Sequence, residues 1–286
     1  MGMNNYNVLP THLRIIADAA DEIIKVKYGL ANTIVETAIH SSISWTPTLH
    51  WKTKLGYIAC EVHEIPNPPS IRTAFGDGST TDLPIKIIIA IPKNIHISLA
   101  DFIKGANEAK RFGCALLTIN DDGTGEFQHE GIEIPLYLPT PNFGNYNKKI
   151  RAEVQHAFEL YINSDPRHGV QEIGQLIESI IIHLALQAIK KRTLTKGGYT
   201  NPANRKRYAT GNLIDDLMRE KVIDNAILGK CRGFVEDRNN SSHKPKSVTQ
   251  AIEVNKKLKN AMASGLQILE EIPAKLKAKN YQLKIM

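Results

Sequence analysis

Two stretches of the sequence pair an arginine with a histidine five positions later: Arg151…His156 and Arg238…His243. An arginine can hold an anionic group, and a histidine can transfer a proton near neutral pH, so such a pair could carry out acid–base chemistry on a charged substrate. A spacing of this kind is only a weak signal by itself. The surrounding residues must therefore decide between the two pairs.

The contexts of the two pairs differ. Good helix formers surround Arg151 and His156, which predicts an ordinary solvated helix surface there. Arg238 to His243 is a polar run, Arg-Asn-Asn-Ser-Ser-His, and Asn and Ser compete with a helix for backbone hydrogen bonds. Pro245 follows the run. We therefore expect a helix to end there, and the end of a helix favours a cation such as Arg238.

The elements around this segment have helical periodicity. Apolar residues recur every three or four positions in four stretches of the carboxy-terminal half: 149–162, 170–189, 213–238 and 248–272, the last ending at Pro273. The stretch 213–238 is interpreted as one or two helices. A polar loop is expected at 193–208. Helices of this number and length predict an antiparallel all-α bundle.

The segment Val235-Glu236-Asp237-Arg238-Asn239-Asn240-Ser241-Ser242-His243, followed by a short Lys/Pro loop and a long helix, resembles the signature of HEPN domains. The resemblance implies a homodimer in which two such segments face one cleft. Arg238 would bind the scissile phosphate, Asn239 would orient it or the arginine, and His243 would move the proton during attack by a ribose 2′-hydroxyl. It implies no metal and no cofactor. The alternatives are a capping arginine with a surface histidine, or a non-catalytic HEPN module.

The charge distribution supports a polyanion partner for this half. Residues 1–147 contain 11 Lys and Arg against 15 Asp and Glu, whereas residues 148–286 contain 25 against 14. Clustered basic side chains gain affinity for phosphates by releasing counterions, although a merely solvated face is the alternative. RNA is the expected partner. The first candidates for RNA contacts lie in the polar loop and are Lys196, Arg205, Lys206, Arg207 and Tyr208.

The amino-terminal half mixes helix and strand signals. A helix is predicted at 11–27, and a strand meander at 33–39, 48–52 and 57–62. Turns are predicted at 66–69 and 76–79. The apolar runs 85–91 and 113–119, with a helix at 99–111 between them, predict a β-α-β crossover with parallel strands, followed by a turn at 120–123 and an edge strand at 132–138.

This order resembles the PD-(D/E)xK restriction-endonuclease fold, with Tyr57–His63 in the place of the strand that bears the E-x-K element. The metal chemistry of that family needs two acids and a lysine. There is no acidic residue between Glu36 and Glu61, and His63 stands at the lysine position. We therefore expect no metal-dependent cleavage, and we interpret Glu61 and His63 as strand-edge residues.

The sequence thus predicts an α+β chain of two domains. These are a mixed-sheet, restriction-endonuclease-like domain at 1–140 and an all-α, HEPN-like domain at 148–286, separated by a Pro- and Asn-rich linker. No apolar run approaches the roughly 20 residues of a membrane span, and the three cysteines lie far apart, so a cytoplasmic protein is expected. The hypothesis is an effector ribonuclease of a prokaryotic defence or toxin system, whose first domain responds to a protein or nucleic-acid trigger. The alternative is a non-catalytic binding module, and metal-dependent DNA cleavage is the third possibility.

Overall fold

The computed structural model describes residues 5–94, 97–240 and 244–285. Within these ranges the chain forms five strands and eight α-helices. The strands are β1 Leu49–Lys52, β2 Tyr57–Val62, β3 Ile85–Pro92, β4 Ala115–Ile119 and β5 Gly125–His129. The helices are α1 Thr11–Tyr28, α2 Ser70–Thr81, α3 Leu99–Arg111, α4 Arg151–Asn163, α5 Pro166–Lys190, α6 Thr210–Arg219, α7 Asn225–Asn240 and α8 Val248–Ala278. The predicted α+β class is confirmed, with a mixed sheet in the first half and helices in the second.

The described residues form two compact units. The first comprises residues 5–94, 97–140, 162–164 and 244–256, and the second comprises residues 141–161, 165–240 and 257–285. Lys244–Lys256 joins the first unit through polar contacts: Asn255 donates a hydrogen bond to Glu133, and Lys256 Nζ lies 2.7 Å from Asp82 Oδ2. The division into folding domains at 1–140 and 148–286 stays a prediction.

The sheet of the first unit has the order β1-β2-β3-β4-β5. Strands β2, β3 and β4 are parallel, and β1 and β5 are antiparallel edge strands. Strand β3 lies at the centre of the sheet, and its isoleucines are buried on both faces, as predicted for a continuous apolar run. The predicted β-α-β crossover is confirmed: α3 begins at a Ser98 cap, whose side chain accepts from Asp101 N, and leads from β3 to β4.

Helices cover both faces of this sheet. Successive side chains of a strand point to opposite faces, so β3 contributes Ile88 and Ala90 to one core and Ile87, Ile89 and Ile91 to the other. The first core is completed by α1, and the second by residues of α2 and α3. The three parallel strands are therefore held in a three-layer α/β/α unit, with their carboxyl ends at one edge.

Four local predictions in this unit are wrong. Residues 33–39 do not form a strand beyond the single bridge Ile34–His50, because Glu36 adopts a left-handed backbone with φ 59°. Residues 76–79 are helical rather than a turn, because they continue helix α2, which links β2 to β3 in parallel. The hydroxyls of Ser79, Thr80 and Thr81 donate to carbonyls one turn back.

The third wrong prediction concerns the far edge of the sheet. Residues 132–138 were expected to form the edge strand, but Pro135 cannot donate to a ladder, and Ile134–Leu136 is a short 3-10 helix. The edge strand is β5 instead, because the predicted turn closes with Gly123 at φ 82° and reverses the chain. Strand β2 has neighbours on both sides, so Glu61 is not a strand-edge residue.

The second unit is built around α5. Its buried residues follow helical spacing, and Gly265 of α8 allows close packing: a Cβ there would lie 2.8 Å from Cε2 of Phe234 on α7 and would also meet Ile173 of α5. Helix α8 continues past Pro273 to Ala278, contrary to the predicted end at Pro273. Ile272 and Leu276 are buried, so packing on both sides of the proline offsets the lost hydrogen bond.

Candidate active site in the helical unit

Arg238 lies in the last turn of α7 and contacts α5. Its Nη2 is 2.9 Å from Oε1 of Glu178, and the two side chains are 22% and 28% exposed. The pair is thus half-buried, where a charge-assisted hydrogen bond is stronger than at a fully solvated surface. The sequence prediction that the helix ends at this polar run is confirmed, because α7 is described as far as Asn240 and Lys244 is no longer helical.

The guanidinium group of Arg238 runs over Gly174, one turn before Glu178 on α5. A Cβ at Gly174 would lie 2.6 Å from Nη1 and 2.8 Å from Cδ of Arg238. The missing side chain at Gly174 is therefore what allows the arginine to lie flat on α5 and to reach Glu178. This close approach explains why α5 has a glycine at this position, although glycine destabilises a helix by about 1 kcal/mol relative to alanine.

Glu178 also holds the start of α6. Thr210, the first residue of α6, donates its hydroxyl to the same Oε1 at 3.1 Å. One carboxylate thereby joins three helices, and removing it would break a half-buried ion pair. Sequence reasoning missed Glu178. Its signal was a single acid inside the run Ile177-Glu178-Ser179-Ile180-Ile181-Ile182.

The other two residues of the predicted site are placed only in part. Asn239 follows Arg238 in α7, and its side chain is exposed. His243 lies outside the described residues. The structure therefore places Arg238 and Asn239, while the catalytic roles of all three residues stay predictions from the sequence.

The second Arg–His pair lies on α4. Arg151 Nη2 donates to the carbonyls of Gly144 and Tyr146 at 3.4 and 3.3 Å, and His156 is exposed. These contacts tie the segment before α4 to the helix. They agree with the interpretation of this pair as helix surface.

The predicted polar loop at 193–208, called the basic loop below because of its lysines and arginines, contains two short 3-10 helices, Gly198–Thr200 and Pro202–Arg207. Lys196, Lys206 and Arg207 are exposed. Arg205 is engaged instead, because its Nε donates to the carbonyl of Tyr199 at 3.1 Å and its guanidinium lies 5.6 Å from the centre of that ring. Three of the four predicted cations therefore face solvent, and the fourth shapes the loop.

Tyr208 is anchored at the end of this loop. Its hydroxyl donates to Oδ2 of the buried Asp216 at 2.8 Å, and this bond raises the pKa of Tyr208. Arg219 Nη2 lies 2.5 Å from Oδ1 of the same carboxylate. Gly197, with φ 117°, lies so close to Asp216 that any side chain would collide with it. The Tyr208 ring is half-buried, and only its exposed part could stack on a base.

Comparisons with protein-family models, curated proteins and solved structures find no match. The functional argument for this chain therefore depends on its own residues and their geometry.

In the part of the chain that the structure describes, no three His, Cys, Asp or Glu side chains are grouped as a metal site. Glu61 in β2 is buried, and it accepts hydrogen bonds from Trp45 Nε1 and from Thr48 Oγ1. His63 is half-buried, and burial lowers its pKa.

One helix among the described residues, α5, is long and apolar enough by composition to cross a membrane. Half of its most apolar window is buried inside the protein, and its buried residues pack in the core of the second unit. A core helix of a globular unit passes the same test of length and composition.

Proposed function

We propose that the protein is a metal-independent endoribonuclease of the HEPN type, acting in the cytoplasm as the effector of a prokaryotic defence or toxin system. The observation that carries the proposal is the position of Arg238. It lies in the last turn of α7, fixed by Glu178, five residues before His243. The helical content of the second half and its excess of basic residues also support the proposal.

In this mechanism Arg238 binds the scissile phosphate and stabilises the charge that develops during cleavage. A guanidinium has five N–H donors in one plane, so an ion pair through Nη2 can fix the plane in which the group meets a phosphate. His243 transfers the proton during attack by the neighbouring 2′-hydroxyl, and Asn239 orients the arginine or the phosphate. The products end in a 2′,3′-cyclic phosphate, and a homodimer through the second half completes the cleft.

The test is cleavage of a mixed-sequence oligoribonucleotide by the full chain. His243→Ala and Arg238→Ala should each reduce the rate by about 10² to 10⁴, because a proton-transfer group or a phosphate contact is lost. His156→Ala is the matched control from the second Arg–His pair and should cut normally. EDTA should not inhibit. Undiminished cleavage by His243→Ala, or loss of cleavage in His156→Ala alone, would show that the site is wrongly assigned.

Light scattering tests the assembly. We expect a dimer at micromolar concentration, since one segment supplies only half of a HEPN cleft. A fully active monomer would contradict the proposed cleft.

One observation favours a second function, a non-catalytic nucleic-acid or protein-binding module. Arg238 already has a carboxylate partner, which is what an arginine with a purely structural role would have. In that case the chain should bind RNA without cutting it, and Arg238→Ala should lower stability and leave RNA binding unchanged. The first half would then be a degenerate restriction-endonuclease-like scaffold. In either proposal the first half serves as a docking or trigger domain and not as a metal-dependent nuclease, since Glu61 accepts hydrogen bonds from Trp45 and Thr48.

A further inference from the structure

A pocket of about 610 Å³ lies in the first unit at the carboxyl ends of the three parallel strands. Its lining includes Glu64 after β2, Asn94 after β3 and Asp121 after β4. In open α/β sheets, ligands bind outside the carboxyl ends of parallel strands, because the loops that follow the strands meet there. The volume is in the range of pockets that hold small organic ligands. We call it the edge pocket.

The walls of the edge pocket are apolar. Ile15 and Ile16 of α1 form one side, and Ile65, Pro92 and Ile97 complete the apolar lining. Ile15 is 57% exposed, one of the most exposed large apolar side chains of the protein. A flat apolar ligand body in the pocket would remove this surface from water and gain free energy by doing so.

The polar groups of the edge pocket are two hydrogen-bonded pairs. His12 Nε2 lies 2.8 Å from Glu64 Oε1, and Asn94 Nδ2 donates to Asp121 Oδ2 at 2.9 Å. Each bond occupies one oxygen of its carboxylate, and an ionised carboxylate can accept several hydrogen bonds. Carboxylates in such positions bind the hydroxyls of a ribose.

The charge of the lining restricts the ligand further. Among the lining residues that the structure describes, two are carboxylates and none is lysine or arginine. A phosphate would be repelled by Glu64 and Asp121, and among the described lining residues the one side chain that can become a cation, His12, is already hydrogen-bonded to Glu64. The pocket chemistry therefore suits a neutral molecule with an apolar planar body and several hydroxyl or amino donors.

We propose that the edge pocket is a binding site for an uncharged ribonucleoside. The base lies between the apolar walls of Ile15 and Ile65, and the ribose hydroxyls donate to Glu64 and Asp121. The site is separate from the ribonuclease site and does not depend on it, so the first unit binds the nucleoside whether or not the chain cuts RNA.

Titration calorimetry of the full chain with adenosine, guanosine, cytidine and uridine tests the proposal. At least one nucleoside should bind with a Kd of 1 mM or tighter, that is, on the order of −4 kcal/mol or more favourable. Its 5′-monophosphate and its 2′-deoxy form should bind at least about tenfold more weakly, because of repulsion and of a lost hydroxyl contact. No binding by any of the four, or tighter binding of the monophosphate, would overturn the proposal.

Two variants locate the site. Glu64→Gln and Asp121→Asn should each weaken binding about tenfold or more, since a neutral amide is a poorer acceptor for hydroxyls. Glu126→Gln, an exposed residue of β5 outside the pocket lining, is the control and should bind as the parent does. Methyl NMR is a second measurement: the methyl resonances of Ile15 should change chemical shift on binding, and those of Ile103, exposed on α3, should not. Equal binding by all three variants, or no shift of Ile15 during binding, would overturn the assignment.

Discussion

Arg238 and Glu178 form a half-buried ion pair between the last turn of α7 and the middle of α5, with 2.9 Å between Nη2 and Oε1. The two residues are 60 positions apart in the sequence. In the proposed ribonuclease this pair sets the plane in which the guanidinium group meets the phosphate.

Replacing Glu178 with glutamine should slow RNA cleavage through misorientation of Arg238. We expect kcat to fall about 10- to 100-fold, with a smaller change in KM, because orientation matters most in the transition state. Glu178→Asp should recover part of the loss. Glu172→Gln, six residues earlier on α5, is the control and should retain parental kinetics. A parental kcat for Glu178→Gln would show that Glu178 does not position Arg238 for cleavage.

Replacing Gly174 with alanine should displace Arg238 while leaving the fold intact. The new Cβ would lie 2.6 Å from Nη1, and the end of a flexible side chain can move away from it. Cleavage should therefore fall. Thermal stability should change little, because the preference of alanine for the helix, up to about 1 kcal/mol, offsets the weakened contact between Arg238 and Glu178. Gly233→Ala on α7, where a Cβ meets nothing within 4 Å, should raise the Tm and keep the activity. Equal activity of the two variants would contradict this geometry.

Reversing the charge of Lys206 and Arg207 together should weaken RNA binding. Both side chains are exposed on the basic loop. The affinity falls with salt, and each lost phosphate contact makes the slope of log affinity against log salt less steep by about 0.7 for a single strand. The matched control is Lys104→Glu with Arg111→Glu, two exposed cations of α3 with the same total charge change. If both double variants lose affinity equally, the effect is one of net charge and the loop is not the binding surface.

Acid should destabilise the protein through His129. Burial lowers its pKa from 6.5 to about 4, and its Nε2 is buried without a hydrogen-bond partner. Between these two pH values the unfolded chain takes up a proton that the folded chain does not. The free energy of unfolding should therefore decrease as the pH falls from 6.5 towards 4, by up to about 1.4 kcal/mol per pH unit for one such group.

Urea unfolding of the parent and of His129→Gln at pH 7, 6 and 5 measures this contribution. The variant should lose less stability on acidification than the parent, because glutamine does not titrate. His50 and His63, whose pKa values burial also lowers, should keep some of the slope. His156→Gln, at an exposed position, is the control. Identical pH profiles for the parent and His129→Gln would contradict the depressed pKa.

Local sequence patterns were sufficient for several elements. The run of isoleucines in β3, the helix from Leu99 to Arg111 and the apolar strand β4 were all predicted, because each pattern is long, periodic and bounded by residues that stop it. The end of α7 at the Arg238 segment was predicted for the same reason. Turn formers misled the prediction at 76–79, where the neighbouring helix residues and the contact between Gly78 and Ile134 outweigh the local preference for a turn.

The sequence alone determined which residues are apolar, where the cations are concentrated and that Arg238 ends a helix. Only the tertiary structure decided that Glu178 is the partner of Arg238, that Gly174 makes room for it, and that Glu64 and Asp121 share one pocket. The physical reason is distance along the chain. Periodicity and capping act within a few residues, whereas these contacts join positions dozens of residues apart that meet only when the helices and the sheet have packed.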